Sequence, residues 1–185
     1  VGTKGSEGGA KKRYAMIDEK GKLKIRGFEL VRRNVSPIAK RTQEEVLRAI
    51  LADKDPKKAQ ERVNGIVKDL HANKIPLSDV IITTALTKEI SAYDSIGPHV
   101  AAAQRMKDRG QQVGAGTRIT FVVTKGKGKI RDKVRLPDEC TQQDYDGEYY
   151  VENQVLPAVD KIFEVVGIEI KKATASKSQS TLGSF

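Results

Sequence analysis

Several residues in this chain are of types that handle charged substrates. Two Asp-x-Asp pairs, Asp53/Asp55 and Asp144/Asp146, have the composition of a divalent-metal site for phosphoryl transfer. Each has a simpler structural explanation. Asp53/Asp55 stands ahead of Pro56 among Lys54, Lys57 and Lys58, as a polar turn between helices would. Asp144/Asp146 precedes a long apolar-periodic stretch, where Asp146 can cap a helix and acidic residues suit its positive end. Both pairs are therefore read as structural, with no catalytic residue and no metal ligand assigned to this chain. His71 and His99 are far apart in sequence, and the single Cys140 has no neighbouring histidine, so neither a metal site nor a Cys–His nucleophile is assigned. A lone cysteine also excludes an intrachain disulfide. The Lys125-Gly126-Lys127-Gly128-Lys129 run is basic, but it does not lead from a strand into a helix as a phosphate cradle does. It reads as a hairpin turn.

Charge is the more informative feature. The 185 residues carry 34 Lys+Arg against 24 Asp+Glu, a formal net charge of +10, with 38% hydrophobic residues. Such a balance favours a polyanion, nucleic acid first and a membrane surface second, although lysines also simply solubilise surfaces. No apolar run approaches the ~18 residues that span a bilayer, and no secretion signal opens the chain. A cytoplasmic protein is expected. Basic residues with an interleaved aromatic open the chain: Lys11-Lys12-Arg13-Tyr14, followed by Arg26, Arg32 and Arg33. On a strand, Lys12 and Tyr14 share a face and could give an ammonium to a groove and a hydroxyl to a phosphate. A solvated basic edge strand explains the same residues equally well.

The elements that must position these residues follow from periodicity and punctuation. Residues 1–10 are glycine-rich and read as a flexible lead. Residues 11–30 read as a β-hairpin turning at 19–22, which alone would be marginal and needs a sheet to join. Ser36-Pro37 opens a helix over 36–53, with Ile38, Thr42, Val46 and Ile50 on one face. A second helix over 56–73 carries Ala59, Val63, Ile66, Val67 and Leu70, and the two predict an antiparallel pair. Residues 79–84 read as a short strand, and 97–109 as a helix stopped by Gly110. Residues 117–124 and 129–136 form a second hairpin. Residues 147–167 form one long helix that Pro157 should kink. From Lys171 the composition is that of an unfolded tail. The fold class is α+β, mostly helical.

The motifs then resemble a known family. Lys11-Lys12-Arg13-Tyr14-Ala15, Arg26-Gly27-Phe28-Glu29 and Val31-Arg32-Arg33 resemble the last palm segment of archaeal family B DNA polymerases. Ser95-Ile96-Gly97-Pro98-His99-Val100-Ala101 and the stretch from Tyr145-Asp146-Gly147 to Leu156-Pro157-Ala158-Val159 continue the likeness into that family's thumb. The resemblance implies a palm-end hairpin over 11–35, completing the palm sheet of a partner chain, and a helical thumb with a second small hairpin over 36–172. It implies DNA contacts from Lys11, Lys12, Arg13, Tyr14, Arg26, Arg32 and Arg33, with His99, Arg118 and Lys125 as weaker candidates. Asn34-Val35 stands where the family often has Asp-Trp, and Gln104 where a basic residue is frequent. The family's Asp-Thr-Asp strand is absent, so Mg²⁺ is expected on the partner chain and none here. That implies the small subunit of a split polymerase, or a fragment, inactive alone.

The last residues, Gln179-Ser-Thr-Leu182-Gly-Ser-Phe185, fit the sliding-clamp pattern Q-x-x-[L/I/M]-x-x-F within a tail over 173–185. Leu182 and Phe185 would form one apolar plug beside Gln179. A tail with no partner fits the same residues. Expected partners are thus a large polymerase subunit, primer-template DNA and the clamp, with no membrane. The competing readings are a stand-alone basic nucleic-acid-binding module and a clamp-tethered accessory factor without polymerase function.

Overall fold

The structure, a computed structural model, describes residues 2–3, 13–20, 23–26 and 34–166. Two small antiparallel sheets flank a helical core, so the fold is α+β. The first sheet has the order β1 (Gly2–Thr3), β2 (Arg13–Ile17), β3 (Leu23–Arg26). Tyr14 stands opposite Arg26, and Ile17 opposite Leu23, which is the expected first hairpin. Within the lead expected to be flexible, Gly2 and Thr3 pair with Tyr14 and Arg13. Period-two alternation separates the faces of β2: Ala15 is buried in the core, whereas Met16 is 50% exposed.

The predicted helix pair is present as α1 (Pro37–Leu51) and α2 (Pro56–His71), packed together across a short connection. Ile38, Thr42, Val46 and Ile50 are all buried on the inner face of α1. Gln43 is buried as well, and its Nε2 donates to the Ala158 carbonyl, tying α1 to the last helix. Asp55 caps α2 by accepting from the Lys58 N–H at 3.0 Å. Ser36 does not cap α1 through its side chain. Its N–H instead donates to Gln154 Oε1 at 2.9 Å, which fixes the start of the helix on another segment.

Three expectations need correction. The strand expected over 79–84 begins as a helical turn, α3 (Leu77–Val80), and only β4 (Ile82–Ala85) is extended. The strand expected over 129–136 is a 3₁₀ turn (Ile130–Lys133) followed by the two-residue β6 (Val134–Arg135). Asp132 Oδ2 accepts from the Lys129 N–H at 3.0 Å, a local bond that competes with strand pairing. Between these lie α4 (Pro98–Asp108), closed by Gly110 at φ +82°, and β5 (Arg118–Val123), the centre of the sheet β4-β5-β6. The long helix over 147–167 is three segments: α5 (Gly147–Tyr150), a π turn (Val151–Val155) and α6 (Leu156–Val166). Pro157 explains the π turn. It has no N–H for the Asn153 carbonyl and its ring crowds that oxygen, so the chain widens just before it.

The core joins the helices to the second sheet. Tyr145 and Tyr150 are fully buried and meet edge to face at 5.8 Å. Each hydroxyl accepts a backbone N–H, from Ile75 at 3.2 Å and Val123 at 3.1 Å, so no polar tip is left unsatisfied. Gly147 lets α5 lie against the backbone of α2, because a Cβ there would collide with the carbonyl of Leu70. Among the described residues, no helix is long and apolar enough to cross a membrane.

Candidate nucleic-acid interface

The residues assigned to DNA fall into three groups. Lys11, Lys12, Arg32 and Arg33 lie outside the described residues, as do Gln179, Leu182 and Phe185 of the tail. Arg13, Tyr14 and Arg26 lie on the paired strands of the first hairpin, with Tyr14 and Arg26 in register. His99, Arg118 and Lys125 lie in the helical body, in different surroundings.

His99 is the second residue of α4 and stands edge-on to Tyr93, with ring centroids 5.4 Å apart. The Thr87 N–H donates to the Tyr93 hydroxyl at 3.0 Å, and the Lys88 ammonium sits 5.0 Å from the centre of the Tyr93 ring. Burial holds the His99 imidazole below its ordinary pKa, so at neutral pH it is uncharged and offers one donor and one acceptor. These rings wall a cleft of about 340 Å³, shared with Thr84, Phe121, Tyr149 and Gln154. Arg118, the first residue of β5, is exposed and lines a neighbouring recess at the end of β4. Thr84 and Ala85 line both hollows, so the His99 cleft and the Arg118 recess adjoin along β4. Tyr93, Thr84 and Gln154 were not picked out from the sequence. They come from a loop, a strand and a π turn, and no single spacing marks them.

Lys125 does other work. Its ammonium donates to Asn73 Oδ1 at 2.6 Å and to the Gln143 carbonyl at 2.9 Å. Asn73 closes α2 with φ +52° and also donates to the Tyr145 carbonyl at 2.9 Å. Lys125 thus clamps the end of α2 to the loop before α5, beside a hollow separate from the β4 groove.

The acidic residues are likewise engaged in structure. Asp53 pairs with Lys58 at 2.6 Å and Asp55 caps α2. Asp144 Oδ2 accepts from the Thr141 N–H and hydroxyl at 2.6 and 2.8 Å, which holds its carboxyl below the ordinary range. Asp146 accepts from the Tyr149 N–H and pairs with Lys133 at 3.0 Å. Burial pushes the Glu139 carboxyl up, but Arg105, the Leu136 N–H and Arg109 outweigh it and hold the pKa below its usual value. Burial also raises the Cys140 thiol, so it is a poor nucleophile. Among the described residues, no three His, Cys, Asp or Glu side chains gather as a metal site. The four carboxylates of the two Asp-x-Asp pairs are thus engaged in caps, turns and ion pairs.

Comparison with known proteins gives these features a family. Residues 9–166 match "DNA polymerase family B". The chain is 48% identical over 160 residues to a DNA polymerase of Thermococcus aggregans, covering 85% of this chain and 9% of that protein. It is 39% identical over 175 residues to a DNA polymerase of Methanocaldococcus jannaschii, covering 95% of this chain and 11% of that protein. The family B DNA polymerase structure from Pyrobaculum calidifontis superposes with a TM-score of 0.71 at 38% identity, over 87% of this chain and 21% of that one. The chain therefore spans only about a tenth of the length of these curated relatives. With residues 9–166 matched in one continuous stretch, the chain belongs to family B of the DNA polymerases.

Proposed function

We propose that this chain is the duplex-gripping part of a family B DNA polymerase, the end of the palm and the thumb, working with a large subunit that carries the catalytic carboxylates and their Mg²⁺. One observation carries the reading: the family match runs from the hairpin through the body, while the body's Asp-x-Asp pairs are all consumed in caps, turns and ion pairs. Its share of catalysis is placement. Holding the primer terminus in line for attack lowers the barrier without chemistry of its own. The hairpin docks on the body through Ala15 and leaves Met16 outward, a face suited to a partner's sheet. Lys11, Lys12, Arg13, Tyr14, Arg26, Arg32 and Arg33 would hold the primer strand near that junction. His99 and Arg118 would follow the duplex along the β4 groove. The tail would tether the assembly to a sliding clamp through Gln179, Leu182 and Phe185, where modest affinity suffices because DNA binding raises its effective concentration.

Primer extension tests this. The chain alone should be silent, and the chain with a large subunit bearing the catalytic aspartates should synthesise DNA. Synthesis by the chain alone contradicts the reading of its carboxylates. Duplex binding with no stimulation of an active large subunit would make it a stand-alone binding module. Leu182→Ala with Phe185→Ala should abolish capture by immobilised clamp, and retained capture would remove the tail from the account.

A further inference from the structure

The recess beside Arg118 gathers into one concavity two cations with no carboxylate partner among the described residues. It lies between the first turn of α1 and the end of β4, and has a volume of about 540 Å³. Lys40 enters it from α1 and Arg118 from β5. Among the described residues, neither cation has an ion pair or a hydrogen-bond partner, although Arg41, Arg48, Lys58, Arg105, Arg109 and Lys133 are all paired with carboxylates. Thr83 and Thr84 line the same recess, and among the described residues their hydroxyls have no hydrogen-bond partner. None of its lining residues is acidic, and the rest of the wall is apolar. Two cations facing one concavity with an apolar wall repel each other, and an anion removes that repulsion.

We infer that this recess seats a backbone phosphate of nucleic acid, with Lys40 and Arg118 flanking its charge and the Thr83 and Thr84 hydroxyls donating to its oxygens. The inference rests on the duplex-gripping reading and adds to it a site at which Lys40, Thr83 and Thr84 act. A phosphodiester fits better than an isolated carboxylate. It presents several acceptors to two cations and two hydroxyls, and the recess adjoins the His99 cleft at Thr84 and Ala85, so a polymer seated in one passes beside the other. The substrate is held here by charge and hydroxyls rather than by base edges, so the site should be indifferent to sequence.

The test is duplex binding by the full chain, read by fluorescence anisotropy across a salt series. K40Q/R118Q is compared with K57Q/R62Q, which removes the same charge from exposed, unpaired positions on α2. At moderate salt K40Q/R118Q should weaken binding about tenfold and make the salt slope shallower by about one, since the lost phosphate contact removes ~0.9. K57Q/R62Q should leave the slope unchanged. Equal effects from the two pairs would overturn the site. T83V/T84V, which preserves β-branching, should weaken binding at constant slope; full affinity in that variant would remove the hydroxyls. If the wild-type chain binds no duplex, the gripping reading fails. The recess is then decided by inorganic phosphate followed through amide shifts: saturating shifts near Arg118 that K40Q/R118Q abolishes keep the anion site, and their absence rejects it. Binding of polyglutamate in place of duplex, lost in the same variant, would overturn the assignment to nucleic acid.

Discussion

Two basic regions of this protein use the same residue types in opposite ways. Around β6 and the loop before α5, four cations are consumed internally. Lys125 bridges Asn73 and Gln143, Lys133 meets Asp146, and Arg105 and Arg109 converge on Glu139. Along β4, Lys40 and Arg118 have no side-chain partner among the described residues, and the surrounding polar groups include hydroxyls and a neutral imidazole. Net charge of +10 does not distinguish these regions. Whether a cation binds a ligand or holds the fold depends on whether the chain has already supplied its anion.

Substitutions at the two regions should separate stability from binding. The largest effect is expected at the support of the internally paired region. Gly147→Val forces a side chain into the backbone of Leu70 and His71, separating α2 from α5. It should cost about 3 kcal/mol or more by denaturant melting. Glu139→Gln leaves Arg105 and Arg109 without their shared carboxylate and should cost about 2 kcal/mol. Because the folded pKa of Glu139 is depressed, its contribution is present above the ordinary carboxylate range and lost as pH falls through the folded value. The variant's acid melting curve should accordingly be flatter than that of the wild type. Lys125→Met should cost about 1 kcal/mol and leave the salt slope of duplex binding intact. A changed slope would return Lys125 to the DNA face.

The smallest effect is a pH dependence at the groove. Burial keeps His99 neutral in the free chain, and a nearby phosphate would raise its pKa in the complex. Affinity should then rise by about threefold as pH falls through the histidine range, half a pKa unit of coupling, and His99→Gln should flatten that rise. An identical pH profile in the variant would exclude His99 from the contact.

Much of the scaffold was legible because it rests on local signals. The apolar stripe of α1, the Asp146 cap and the stop at Gly110 each follow from a few adjacent residues. Where tertiary partners decide, sequence reading failed. Ser36 has the type and place of a side-chain cap, yet its backbone binds Gln154, 118 positions away. Pro157 predicted a kink, and the chain takes it up as a π turn over Val151–Val155. Lys125 sits in a basic run that looks free, and only the fold brings Asn73 and Gln143 to it. The groove was half visible: His99 and Arg118 were singled out through family resemblance, whereas Lys40, Thr83, Thr84 and Tyr93 converge only once α1, β4 and the following loop are in place.

The most direct measurement of this division is amide-shift mapping of the full chain titrated with a primer-template duplex. The account predicts perturbations along β4, at Lys40, around Tyr93 and His99, and at Arg118, with Asn73, Lys125 and Gln143 unmoved. Perturbations centred on residues 125–144, with β4 silent, would contradict it.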